Sequence, residues 1–154
     1  MKLSFFIDVA MVILISFCLL KKNHNRFENL FMLMAAEFVL LCYYAILYIN
    51  LDLWTISKGT ERFIIFRIYE VFFIPLLFLL YFNLLPLLKK LFSQFGFTVL
   101  FIGILLSVEL WMVEWKVIIY KNWHAWQSVI TSLFLIILLR ALLKGYQLLG
   151  EKFR

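Results

Sequence analysis

Charge is what this sequence has least of. Asp, Glu, Lys and Arg make up 16% of the 154 residues, whereas 66% are hydrophobic. A globular domain in water carries about 25% charged and about 45–50% apolar residues, so a water-facing surface of this length could not be covered. Cysteine is nearly absent as well. Cys18 and Cys42 fall at the end of one apolar run and the middle of the next, at depths too different for a bridge. Both are expected as buried small apolar residues. With two prolines, five glycines and no low-complexity stretch, the chain has no linker and no internal repeat. Enzyme signatures are missing too: no His-Glu-x-x-His, no glycine-rich phosphate loop and no Gly-x-Ser-x-Gly. His24 and His124 fall in loops on opposite sides, where a lone histidine is expected to be solvated and no shared metal site can form. No catalytic residue, metal or cofactor is therefore expected, and the protein is read as a non-enzyme.

What is present is apolar length. Mean hydropathy is +1.00, concentrated in runs Leu3–Leu20, Leu30–Leu51, Phe63–Leu88, Phe95–Val113 and Trp126–Leu143. Each approaches the roughly 20 residues that span a bilayer as a helix, and none alternates as a barrel strand does. The expected fold is all-α, a single membrane domain of five transmembrane helices. Pro75 and Pro86 interrupt the third run, so a kink at the first or an early end at the second is expected. Asp8 breaks the first run and Lys21-Lys22 follows it, so that run reads as a retained span and not a signal peptide.

Basic residues are unequally divided between alternating connections. One side holds Lys21, Lys22, Arg26, Lys89, Lys90, Arg140, Lys144, Lys152 and Arg154; the other holds Lys2, Lys58, Arg62, Arg67, Lys116 and Lys121. The richer side is expected in the cytoplasm, leaving the N-terminus outside. Lysines beside apolar runs suit lipid headgroups, so the net charge of +6 is not read as nucleic-acid binding. All five tryptophans, Trp54, Trp111, Trp115, Trp123 and Trp126, fall at the expected outer boundary. There an apolar ring and a polar N–H are both satisfied.

Charges inside a span are expensive and mark either function or an internal pair. Asp8, Arg67, Glu70 and Glu109 fall at one depth in the expected outer half, with Glu114 at the boundary. They are expected to form one polar cluster centred on Arg67. Its excess of carboxylates leaves two readings open, a ligand or cation site and a packing network that fixes helix register. Glu37 lies deeper, on a stripe with Leu41, Tyr44 and Tyr48 that would suit a proton relay or plain core packing. Gly96, Gly103 and Ser107 make a small-residue face on the fourth run, and Ser128, Thr131 and Ser132 make another on the fifth. Small residues permit close helix contact. The fourth run is therefore expected to touch protein on both sides, as a central helix or at an oligomer interface, with Gly103, Ser107, Trp123 and Trp126 as interface candidates.

One longer pattern stands out: Glu109, then Ile118-Ile119-Tyr120-Lys121-Asn122-Trp123, Trp126 and Ser128, then Leu139-Arg140. It resembles a segment of five-span integral membrane proteins from endospore-forming Gram-positive bacteria. In those proteins a span glutamate precedes a Tyr-x-Asn-Gly-Trp-x-x-Trp-x-Ser stretch and a Leu-Arg exit. The glycine between Asn122 and Trp123 is missing here. The resemblance covers about the second half of the chain and implies a five-span protein of a cytoplasmic membrane, without implying an activity. The functional expectation is a binding, sensing or accessory component with an outward-facing polar cluster, surrounded by lipid and open to a homo-oligomer or a larger membrane partner. The alternative is a small proton- or cation-coupled transporter or channel subunit.

Overall fold

The computed structural model describes residues 2–20 and 23–152, with side chains as far as residue 149. Lys21, Lys22 and Arg154, and the Lys152 side chain, which all enter the charge comparison above, lie outside the described residues. Among the described residues the regular structure is helical except for one small ribbon. Helix α1 covers Lys2–Leu19, and α2 covers Arg26–Ala45 and continues through a π-helical turn, Ile46–Asn50. The third long helix is composite: α3 (Thr60–Ile68), a π turn (Tyr69–Phe73), α4 (Ile74–Leu84) and a 3-10 turn (Leu85–Leu87). Then come α5 (Leu91–Glu114) and α6 (Ala125–Lys152). Five helices are thus long and apolar enough to cross a membrane.

The third long helix is the core of the bundle. In its most apolar stretch 56% of residues are buried, against 28% for α2, α5 and α6 and 6% for α1. Both prolines leave their mark on it. Proline has no N–H and its ring pushes against the carbonyl four residues back. The π turn just before Pro75 lets the Ile74 N–H reach Tyr69 O instead, and Pro86 tightens the last turn before the chain leaves the bundle. The helical pattern thus changes at Pro75, and the helix ends at Pro86 as expected.

Within the monomer the fourth run touches protein on one side, so it is not a central helix. Helix α5 buries one face, through Phe101, Ile102, Leu105, Val108, Glu109 and Met112. A Cβ on Gly96 or Gly103 would meet nothing within 4 Å, and Ser107 is exposed, donating to Gly103 O at 2.7 Å. The small residues therefore mark the outside of the monomer, because the larger side chains of the opposite face do the packing. Cys18 and Cys42 are free, but exposed and not buried.

The two connections at the N-terminal end of the bundle are more than turns. Strands β1 (Trp54–Ile56) and β2 (Ile118–Tyr120) pair antiparallel, Trp54 opposite Tyr120 and Ile56 opposite Ile118. Backbone bonds Ser57 N–Val117 O (3.1 Å) and Lys121 N–Leu53 O (2.9 Å) extend the ribbon. Lys116, at φ 56°, turns the chain out of α5 in the left-handed region. The Lys116 and Val117 N–H groups then donate back to Val113 O and Met112 O, both at 2.9 Å, the pattern of a Schellman cap. Its usual apolar contact is present: Val117 and Met112 are fully buried. Asp52, at φ 49°, makes the matching turn out of α2.

Candidate functional site

Beneath the ribbon lies a carboxyl group held by hydroxyls. Glu109 projects from the packed face of α5 and is 7% exposed. Its Oε1 accepts hydrogen bonds from Ser128 Oγ of α6 and from the Tyr120 hydroxyl of β2. Trp123 Nε1, in the turn entering α6, donates to Ser128 Oγ at 2.7 Å. Four residues from one helix, one strand, one turn and the next helix thus close a single hydrogen-bonded chain. These same four carry the sequence pattern described above. Burial, and then the charge of Glu109, push the Tyr120 phenol above its ordinary range, which keeps it a donor.

Aromatic rings seal this group from above. Trp54 is completely buried and lies 5.8 Å from the Tyr120 ring, 6.1 Å from Trp123 and 5.7 Å from Tyr44. Its indole N–H has no partner among the described residues. Below Glu109 a cavity of about 20 Å³ is bordered by Tyr43, Tyr44, Tyr69 and Ser132, room for a single water. The Tyr44 hydroxyl donates to that of Tyr69 at 3.2 Å, and Tyr43 meets Thr131 Oγ1 at 3.0 Å. Further down the bundle the core becomes apolar, with Leu40, Phe78, Leu79, Phe101, Leu105, Leu135 and Leu139 all buried. Beyond that layer come Tyr81, buried and bonded through its hydroxyl to Thr98 Oγ1 at 2.9 Å, and the pair Asn83–Asn29, whose side chains bond at 2.7 Å.

The expected four-residue cluster does not assemble. Arg67 and Glu70 pair as a local i, i+3 bridge at 2.6 Å, with Glu70 1% exposed and the Arg67 side chain 43% exposed over the Phe63 ring. Glu109 faces Tyr120 and Ser128 instead. Asp8 is exposed on α1 and makes no ion pair among the described residues. Equal depth placed these groups at one level, but it did not place them on facing sides. Nor does the Glu37 stripe form a relay. Glu37 is half-buried, Tyr44 turns to Tyr69, and Tyr48 packs on Phe66, with no hydrogen bond from Glu37 to either tyrosine. Among the interface candidates, Trp123 is 9% exposed and belongs to the hydrogen-bonded core of the cap, whereas Trp126 is 61% exposed.

Sequence reasoning missed a second polar construction at the opposite end. His24 is not solvated: its ring contacts Glu28 Oε2 and Phe82 O, each at 3.2 Å. Asn83, fully buried, accepts from the His24 and Asn23 N–H groups while donating to Asn29 Oδ1 and Leu79 O. The signal available was Asn83 itself, an amide inside an apolar run. Among the described residues no group of three or more His, Cys, Asp or Glu is positioned to hold a metal. Comparisons with protein-family models, with curated proteins and with solved structures gave no match.

Proposed function

We propose that this chain is a non-enzymatic, multi-pass component of a bacterial cytoplasmic membrane. It binds or supports a partner through its ribbon-capped end, which faces outward with the N-terminus. One observation carries the reading. Glu109 is tied to β2 and α6 under the packed rings of Trp54, Tyr120 and Trp123, and an apolar layer separates it from the Tyr81–Thr98 and Asn29–Asn83 pairs. A transport path needs polar groups or water from one side to the other, and a sealed carboxyl above a dry core favours a structural keystone for the cap. The orientation rests on the basic residues at the other end, Arg26, Lys89, Lys90, Arg140 and Lys144. The likeness to five-span proteins of endospore-forming bacteria supports the same membrane assignment.

The small cavity beside Glu109, ringed by three tyrosines, is the observation that keeps proton or cation transport as the second reading. Purified protein in liposomes with an internal pH dye decides between them. The expected outcome is no proton, Na⁺ or K⁺ flux above that of empty vesicles, together with recovery of a partner from native membranes in mild detergent. A flux removed by Glu109→Gln would overturn the accessory reading and establish transport.

A further inference from the structure

The end of the bundle away from the ribbon holds a cleft of about 550 Å³ between the turn before α2, the end of the third long helix, the start of α5 and α6. That volume lies within the range of small-ligand sites, roughly 300–1,000 Å³. Arg140 and Lys144, one turn apart on α6, both border it, and both are exposed, so the cleft reaches the surface. Neither forms an ion pair among the described residues. The nearest acid on the facing element, Glu28, is already engaged: it accepts from the Asn25 N–H at 3.0 Å, from Gln147 at 3.4 Å, and contacts His24 at 3.2 Å. Two cations therefore border a recess that has no carboxylate among its described lining residues.

The floor of the same recess is apolar, made by Phe82, Leu85 and Leu143. Counting from Ala125 at the ribbon end of α6, Lys144 lies about 28 Å along the helix axis at 1.5 Å per residue. That is the far boundary of a hydrocarbon core about 30 Å thick, and Arg140 lies one turn inside it. The walls are pre-built: His24 is tied to Phe82 O and Gln94 Nε2 donates to Leu88 O at 2.8 Å. We infer that this cleft is a binding site for the phosphate headgroup of an anionic phospholipid, with Arg140 and Lys144 as its cationic ligands. A phosphate placed there meets two charges at headgroup depth while the lipid's glycerol and first methylenes cover the apolar floor. Basic pockets between helices recognise such headgroups in this way, each Lys or Arg adding an attraction that neutral lipids lack.

Native mass spectrometry of the full-length protein released from micelles tests the inference, using dioleoyl phosphatidylglycerol, dioleoyl phosphatidylcholine and inorganic phosphate as probes. Phosphatidylglycerol adducts should appear at a concentration roughly tenfold or more below that for phosphatidylcholine, as two such charges imply. Arg140→Gln/Lys144→Gln should erase the preference, and Lys58→Gln/Lys116→Gln, the same loss of charge at the ribbon end, should keep it. If the first double variant does not fold, Lys144→Ala alone should reduce the preference roughly fivefold. Equal binding of the two lipids, or equal loss in both double variants, would overturn the site. Displacement of phosphatidylglycerol by equimolar inorganic phosphate would overturn the lipid assignment and make this a free-phosphate site.

Discussion

The hydroxyl of Tyr120, on a three-residue strand, and Ser128 Oγ, on the following helix, donate to one and the same oxygen of Glu109. The sharing has a consequence for energetics. A buried carboxyl left without donors loses its water with nothing in exchange, at about 1–3 kcal/mol or more, so the ribbon and α6 are held down by the same acid. Tyr120→Phe and Ser128→Ala should each destabilise the fold by about 1–3 kcal/mol. The double variant should depart from the sum of the two by about 0.5–3 kcal/mol, because the two donors share a partner. Unfolding curves in detergent measure this, and strict additivity would mean that the bonds are independent.

Alkaline pH offers a separate handle on the same group. Burial raises the Tyr120 phenol above its ordinary value, which lies near about 10. A group with a raised folded-state value contributes stability that is present in full below the unfolded value and is lost as pH rises beyond it. The cap should therefore loosen as pH climbs past about 10, and Tyr120→Phe should flatten that part of the profile. An identical alkaline decline in wild type and variant would assign the loss to other groups.

Lys116 occupies the left-handed position of the α5 cap at φ 56° without being glycine. An L side chain there is strained by roughly 1–2 kcal/mol, less what glycine loses in the unfolded chain. Lys116→Gly should raise the stability by up to about 1 kcal/mol and leave the ribbon intact. A lowered melting temperature would show that the lysine side chain contributes something greater than its strain.

The ribbon predicts which loop residues meet. Thr55 and Ile119 are direct cross-strand partners, and Cα atoms in such pairs lie within the range a disulfide needs. With Cys18 and Cys42 replaced by alanine, Thr55→Cys/Ile119→Cys should oxidise readily, seen as a mobility change on a non-reducing gel. Thr55→Cys/Ile64→Cys, which joins the strand to an exposed face of α3, should oxidise far less. Equal oxidation would mean that the loops are mobile and unpaired.

Close packing at Gly103, inside the bundle or against a second copy, was the expectation from sequence; inside the monomer the space around it is open. Gly103→Leu should leave the melting curve of the monomer within about 0.5 kcal/mol of wild type, the range for surface changes. By contrast Asn83→Ala, at the buried amide pair, should cost about 1–3 kcal/mol for each group it orphans, among them Asn29 Oδ1 at 2.7 Å. Equal effects of the two changes would invert the assignment of inside and outside.

Five helices and the aromatic end of the bundle were legible in the sequence because they follow from composition and run length, which each segment carries by itself; α6 runs on past the expected Leu143 to Lys152. The break at Pro75 was legible for the same reason, since proline lacks its N–H whatever surrounds it. Partner choice was not. Depth along a helix can be counted from the sequence, but azimuth relative to a neighbour cannot, so Asp8, Arg67, Glu70 and Glu109 shared a level and did not meet. The ribbon was hidden because its strands are three residues long and its turns use Asp52 and Lys116 where glycine would have signalled them. Only the folding of the α2–α3 and α5–α6 connections onto each other, 64 residues apart at Thr55 and Ile119, brings Tyr120 above Glu109. Tertiary structure decided that contact, since a hydroxyl leaves water for a buried carboxyl only once the rings around it have packed.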